Sequence, residues 1–453
     1  MLERTGLAVV GGGWAGIAAA LEATAAGDRT CVFEAAPALG GRARRVALRL
    51  GGADVEVDNG QHLLIGAYTE CLRVIGLTGV SVDAVLRRRP MRLTATDGLH
   101  VAPPPLPAPW HLLVGLLAAR GMRIGERWAM ARLMSTLRAR GWQATGASTV
   151  DDLLDALGQP ESLRRRVWEP LCVAALNTAA HEACAQTFAN VLRDALGGDA
   201  RSSDFLLPIG TLSDVLPAPA ERRLRERGAG VHLRTQVRLL LPADGGWTLV
   251  TDRGNWHAER VILALPPLAA ARLLQATIYG DPARDAVISA LRGYDYDSIA
   301  TAYLSWAPGL RIELPEWVML REQPGDGRFG QWLFDRGTLA QRRVAAVVVS
   351  ARGRAGDVDP QALARGIAEQ ATAQLRLPAP SDARVIVEKR ATFRCRPGRA
   401  RLTPETLAAL APPGDPLSRL FLAGDFAYPD YPATLESAVR AGVQAARLAL
   451  AAR

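Results

Sequence analysis

Leu7-Ala-Val-Val-Gly-Gly-Gly-Trp-Ala-Gly-Ile17, with Cys31-Val-Phe-Glu-Ala35 and Gly40-Gly41-Arg42 behind it, decides how the chain folds. The apolar run 7–10 breaks into glycines and passes into an alanine-rich helix over 17–25. A second apolar run then ends in an acid, so the segment reads as a βαβ unit. Gly11 lets the chain turn sharply out of the strand, Gly13 lets the backbone come close to a pyrophosphate, and Gly16 lets the helix pack against the sheet. Trp14 and Ala15 lie between them, just ahead of the helix, whose free N–H groups and positive dipole end attract phosphate. Glu34 follows Gly16 by 18 residues, with Ala35 beside it, where a carboxylate can accept hydrogen bonds from a ribose.

A lone G-x-G-x-x-G also serves as a plain turn. Here the strand before it, the helix after it and the acid at the right distance favour the dinucleotide reading. A cleavable leader is the other reading of the uncharged run 5–21. Three glycines split that run, and a leader gives no reason for a later strand ending in Glu34.

At 453 residues the chain exceeds one usual domain, and about 150 residues per domain suggests two or three. Apolar residues make up 49% and charged residues 22%, a folded and not a disordered composition. Five scattered cysteines without C-x-x-C imply neither a disulfide framework nor a metal site, and a reducing cytoplasm suits them. The formal charge is +9, and Lys389 is the only lysine among 54 basic residues. Those charges are spread along the chain among 45 acids, with no nucleic-acid motif, which argues against a nucleic-acid partner.

Alternating residues around Gly51-Gly52 read as a hairpin leading into Asp58-Asn-Gly-Gln-His-Leu-Leu-Ile-Gly66, a glycine-bracketed polar loop and candidate site. A helix over 68–76 follows. Residues 103–109 are proline-rich and must be extended. The uncharged stretch 101–119 leaves only about ten residues free to be helical, half the ~20 that cross a bilayer. With Leu112, Leu113, Leu116 and Leu117 on one face and Arg120, Arg123 and Arg127 behind, this helix is either buried or lies in a membrane interface. Helices are expected over 130–140, 150–157, 163–176 and 212–227. Strands are expected over 231–240, 247–250 and 261–265, then at 300–306, 331–334 and 344–350, with a helix over 360–375. Finally 419–425 is an apolar strand ending in Gly424-Asp425, and Pro432 opens a long helix in its first turn.

A strand, an acid and a helix start thus stand at each end of the chain. One elongated cofactor must join them, and FAD has that form, with AMP at one end and flavin and ribityl at the other. The combination resembles the FAD-dependent amine oxidase and carotenoid desaturase superfamily. Within it, Val57-Asp-Asn-Gly-Gln-His-Leu-Leu-Ile-Gly66, Trp168-Glu-Pro-Leu-Cys-Val-Ala-Ala-Leu-Asn-Thr178, Glu388-Lys-Arg-Ala-Thr-Phe393 and Pro432-Ala-Thr-Leu-Glu436 are similar to the squalene-associated flavoproteins, the hydroxysqualene dehydroxylases of bacterial hopanoid synthesis. Leu206-Leu-Pro-Ile-Gly210 departs from the glycine-rich character of the wider group.

The resemblance implies that Gly11, Gly13 and Gly16 hold the pyrophosphate, Glu34 the adenosine ribose, and Gly41 with Arg42 the phosphates or ribityl side. Val237 would meet the adenine. Gly60, Gln61 and His62 would approach the flavin ring, Gly424 and Asp425 the ribityl, and Ala433, Thr434 and Leu435 the pyrimidine end. It also implies reductive removal of the hydroxyl of a long-chain isoprenoid alcohol, with a separate electron donor. The location expected is cytoplasmic, and the interfacial reading of the helix after the prolines would make it peripheral on the inner face of the cell membrane. Its rivals are a carotenoid desaturase and a flavin-free prenyl-lipid carrier. His62 and Lys389 are the candidate catalytic residues, and Asp430 and Tyr431 are further candidate proton donors. Trp168 and Trp332 are read as core in preference to tunnel lining.

The fold expected is α/β, a Rossmann-like FAD-binding domain interleaved with a mixed α+β substrate domain. Segments 1–85, 200–267 and 386–453 build the first, and 86–199 and 268–385 the second.

Overall fold

Leu7-Ala-Val-Val10 is buried on both sides, as a central parallel strand requires. Leu7 and Val9 enter one core, Ala8 and Val10 the other, by the two-residue alternation of a strand. In the computed structural model, which describes residues 3–106, 110–278, 280–351, 358–411 and 414–452, Glu3–Val10 lies between Thr30–Glu34 and Gly254–Leu263, parallel to both. Residues 107–109 of the proline run lie outside the described residues.

The sheet continues outward to Gly230–Leu233 at one edge and through the antiparallel Gly246–Thr251 to Val237–Ala243 at the other. Leu420–Leu422 adds a parallel strand to Gly254–Leu263, so the end of the chain shares the sheet of its beginning. Helices Trp14–Ala25 and Leu435–Ala451 cover one face, and Pro267–Ile278 and Pro282–Arg292 the other. A buried arginine fastens the first face: Arg260 pairs with Asp28 at 2.9 Å and donates to the Ala449 carbonyl at 3.2 Å.

A second sheet of five antiparallel strands runs in the order Trp317–Met319, Trp332–Leu339, Arg342–Val349, Tyr296–Ser305, Asp382–Phe393. Above it sits a helical layer whose core includes Trp168, Phe188 and Trp317. The molecule is therefore α/β with a mixed second layer. Among the described residues no helix is long and apolar enough to cross a membrane.

Four expectations change. The strand over 231–240 is two strands: Arg234 turns the chain with φ +52°, and the Thr235 N–H donates to the Glu34 carbonyl at 2.9 Å. Gly230–Leu233 then runs parallel to Thr30–Glu34, and Val237–Ala243 antiparallel to Gly246–Thr251. The helix over 212–227 divides into Leu212–Val215 and Pro217–Glu226, because Pro217 lacks an N–H and holds Leu216 out of helical geometry. The helix over 163–176 contains a π turn at Arg164–Trp168, just before Pro170. The borders expected at 267 and 385 also shift. Pro267–Arg292 packs into the core of the seven-stranded sheet, and all of Asp382–Phe393 belongs to the five-stranded one.

The first and last helices touch through backbone. A Cβ on Gly442 would collide with the Ala15 carbonyl. Gly→Ala inside a helix ordinarily stabilises by about 1 kcal/mol. Here overpacking should reverse the sign, so Gly442→Ala is expected to lower stability by about 1–3 kcal/mol, read from the urea midpoint.

Candidate active site

At the N-terminal glycines the steric roles divide cleanly. Gly11 has φ +107°, and a Cβ there would strike the Ala264 carbonyl; a Cβ on Gly16 would strike the Gly11 carbonyl. Both are closures of the turn onto its sheet. Gly13 differs, since only the Gly41 Cα, at 3.9 Å, lies within 4 Å of its added Cβ. That open face stands at the start of helix Trp14–Ala25, whose first N–H groups have no intrahelical acceptor. The second glycine loop lies against it, with the Gly40 N–H donating to the Gly12 carbonyl at 2.8 Å and the Trp14 indole N–H to the Ala43 carbonyl at 3.2 Å.

Glu34 closes the same end. Its carboxylate accepts from the Gly12 N–H at 2.6 Å and the Ala36 N–H at 2.7 Å, with Ala35 between. The turn leading to Val237 is tied alongside, through the Arg234 N–H on the Ala36 carbonyl at 3.0 Å.

Arg42 links this end to the C-terminal one. Its guanidinium donates to the buried Asp425 carboxylate at 2.7 Å and to the Ala391 carbonyl at 2.7 Å. Gly424 takes φ +151°, and a Cβ there would strike the Phe426 ring. Helix Leu435–Ala451 starts after Thr434, whose hydroxyl accepts from the Ser437 N–H at 3.1 Å. Pro432 thus precedes the cap and is not in the first turn, because Thr434 caps better than proline starts. The buried Glu436 does not face the site. It accepts from the N–H groups of Glu70 (3.1 Å) and Cys71 (2.9 Å) and from Arg440 (2.8 Å).

Beside Arg42 and the C-terminal helix start opens a cavity of about 970 Å³, lined by Arg42, Gly60, Gln61, His62, Ala433, Thr434 and Leu435 at one side and by apolar residues such as Ile65, Leu93, Leu116, Met134, Leu171 and Phe188 beyond. The loop 58–62 is held from several elements. Asp58 accepts from the Leu212 N–H (2.7 Å), its carbonyl accepts from the Tyr303 hydroxyl (2.6 Å), and the Gln61 N–H donates to the Thr301 hydroxyl (3.3 Å). Asn59 donates to Glu388, a cavity-lining carboxylate, at 3.2 Å.

His62 Nδ1 lies 2.6 Å from the Gly60 carbonyl. A carbonyl only accepts, so Nδ1 carries the proton and Nε2 is left as an acceptor. Burial, followed by the nearby charge of Arg42, holds the imidazole pKa below its ordinary value, so the ring is neutral near pH 7. His62 is therefore a base or acceptor there and not a ready acid.

Lys389 does not enter the cavity. The strand Asp382–Phe393 slips register against Asp297 and Ile299, so Glu388, Ala391 and Thr392 face inward while Lys389 is exposed. Asp430 is exposed and paired with Arg401 at 2.7 Å. Tyr431 does line the cavity, and its hydroxyl donates to Asp194, which also accepts from Arg193 at 2.6 Å. Burial first, then the Asp194 charge, raises the phenol pKa. Asp194 had no sequence signal of its own, since its neighbour Tyr431 is 237 residues away. Trp168 is core, its N–H on Gln159 at 2.8 Å, whereas Trp332 lines the cavity as well as the core.

An open backbone cradle at a helix start, a carboxylate beside it, a bridging Arg–Asp pair and a second helix start on a cavity together define a flavin dinucleotide site, and FAD fits it. The chain belongs to the flavin-containing amine oxidoreductase family, whose pattern matches residues 14–450. It is 29% identical to a hydroxysqualene dehydroxylase of Rhodopseudomonas palustris over 98% of both chains, and 27% identical to one of Sinorhizobium fredii over 98% of this chain and 97% of that one. Among solved structures, a cyclohexylamine oxidase of Brevibacterium oxydans shares the fold at TM-score 0.67, 18% identity and 99% coverage of both chains. A putrescine oxidase does so at TM-score 0.70, 16% identity and full coverage of both chains.

Arg42→Met would leave Asp425 buried without its cation. Purified variant is expected to carry less than a tenth of the wild-type ratio of flavin to protein absorbance. The fully buried Asp58 gives a pH test. Burial raises its carboxyl pKa from 3.8 to about 6. The folded state thus binds the proton more tightly than the unfolded one, and this contribution to stability is present at acid pH and lost as pH rises from about 4 through 6. Asp58→Asn lacks that loss, so its Tm minus the wild-type Tm should increase between pH 4.5 and 7.

Proposed function

We propose that this protein removes the hydroxyl of hydroxysqualene to give squalene, a reductive deoxygenation of a long-chain isoprenoid alcohol. The observation that carries the reading is the cavity itself: apolar for most of its length, and furnished at the cofactor end with a few polar groups, Tyr431 on Asp194, His62, and Asn59 on Glu388. The full-length similarity to two hydroxysqualene dehydroxylases supports it.

In the net reaction one hydride is added to carbon, the C–O bond breaks, and the oxygen leaves as water after taking one proton. Reduced FAD, when bound, supplies the hydride, and an external electron donor restores it. The residues of this chain supply the rest. Hydroxide is a poor leaving group, so an acid must protonate the oxygen as the bond opens. Tyr431 is that acid in this reading. Its raised pKa keeps the proton on the phenol at rest, donated to Asp194, and to act as the acid the hydroxyl turns that proton from Asp194 to the substrate oxygen as the C–O bond opens. Asp194 orients the hydroxyl and Arg193 orients Asp194. His62 Nε2 is free to accept a hydrogen bond, and the apolar walls keep water from recapturing an allylic cation.

The test is anaerobic mixing of reduced, flavin-loaded protein with hydroxysqualene. Squalene should form as the flavin reoxidises, and Tyr431→Phe should lower kcat by about 10²–10⁴ at unchanged flavin content. Loaded, reduced protein that leaves hydroxysqualene intact would overturn the assignment. Bleaching of the oxidised flavin by a carotenoid precursor would point to desaturation instead.

A further inference from the structure

Two helices that line the cavity, Trp110–Leu117 and Ile124–Ala139, also carry an unusually apolar stretch of surface. Trp110 is 59% exposed, Leu117 57%, Ile124 72% and Trp128 68%. Leu113 and Trp128 are exposed and also line the cavity, so patch and cavity are continuous. Exposed large side chains crowded on one helical hairpin are not ordinary surface.

Along the hairpin itself the exposed charges have one sign; of the acids that face it from other elements, Asp97 is answered by Arg166 and Arg321 at 2.8 Å each, and Asp199 lies near His111. No acid occurs between Asp97 and Glu126. Glu126 is buried, accepting from the Arg123 N–H at 2.8 Å and from Ser162. Arg120 and Arg123 are exposed at the turn between the helices. Arg127 is committed to structure, its guanidinium holding the Leu117 and Ala119 carbonyls at 2.5 and 2.6 Å. A second copy docking on this face would bring like charges together. An anionic lipid surface would meet both the arginines and the apolar side chains.

We infer that this helical hairpin is an insertion surface that docks the protein on an anionic lipid bilayer, with the cavity opening into the acyl region so that an isoprenoid passes from the bilayer to the site without crossing water. Docking stands on the patch alone; the identity of the passing molecule rests on the function proposed above.

The experiment uses the full-length flavoprotein and vesicles of phosphatidylcholine with or without phosphatidylglycerol. Wild type should sediment with the phosphatidylglycerol vesicles and at least 10-fold less with phosphatidylcholine alone. The variant W110S/L117S/I124S changes exposed residues that do not line the cavity, and should bind anionic vesicles at least 10-fold more weakly at wild-type flavin content and Tm. It should turn over detergent-dispersed hydroxysqualene like wild type and lose activity on vesicle-borne hydroxysqualene. Wild type left in the supernatant, or a variant that sediments as wild type does, overturns the inference. So does a wild-type dimer that the substitutions convert to monomer with no lipid binding. Vesicle binding without turnover of either form of hydroxysqualene would sink the proposed function and leave docking intact.

Discussion

The ion pair between Arg42 and Asp425 joins positions 383 residues apart, and everything about the site depends on that closure. Asp425 is buried, so its charge is tolerated only because a guanidinium answers it with a charge-assisted hydrogen bond. The same arginine holds the Ala391 carbonyl, and so ties the second sheet to the junction. Backbone packing of Gly442 on Ala15 and the buried Arg260 between Asp28 and Ala449 repeat the closure deeper in the core. The two halves of a dinucleotide site are thereby set at a fixed separation before any ligand binds, which is the preorganisation that tight cofactor binding requires.

The loop 58–62 shows how a polar segment is kept rigid beside an apolar cavity. Asp58, Asn59 and Gln61 are hydrogen-bonded to three other elements, so the loop cannot shift without breaking several bonds at once. The tautomer of His62 follows from one of these, the Gly60 carbonyl. A residue type that suggests acid catalysis is turned by its neighbour into an acceptor.

Much of this was legible in the chain itself. The glycines, Glu34, Arg42, Asp425 and the helix after Thr434 each occupy positions set by local backbone chemistry, and local chemistry is what sequence displays. Side-chain direction in a strand is not local in that sense. Lys389 directly follows Glu388 in its strand, so alternation puts the two on opposite faces, and pairing with a distant strand decides that Glu388 is the one inside. Asp194 was invisible for the same reason, since its importance comes only from Tyr431. The split at Arg234 was missed because an arginine at positive φ carries no glycine to announce the turn.

The sheet that receives its last parallel strand from Leu420–Leu422 also imposes an order on biosynthesis. At about 5–20 residues per second, roughly 20 to 90 seconds separate emergence of the first strand from that of the last helix. Through that interval the nascent chain has the N-terminal glycine turn but not Asp425 or the last helix, and Val261, Ile262 and Leu263 wait for the strand that later pairs with them. The Arg42–Asp425 closure therefore forms only when synthesis is nearly complete, and until then the half-built sheet carries the unpaired strand edge that makes partly folded chains prone to aggregate.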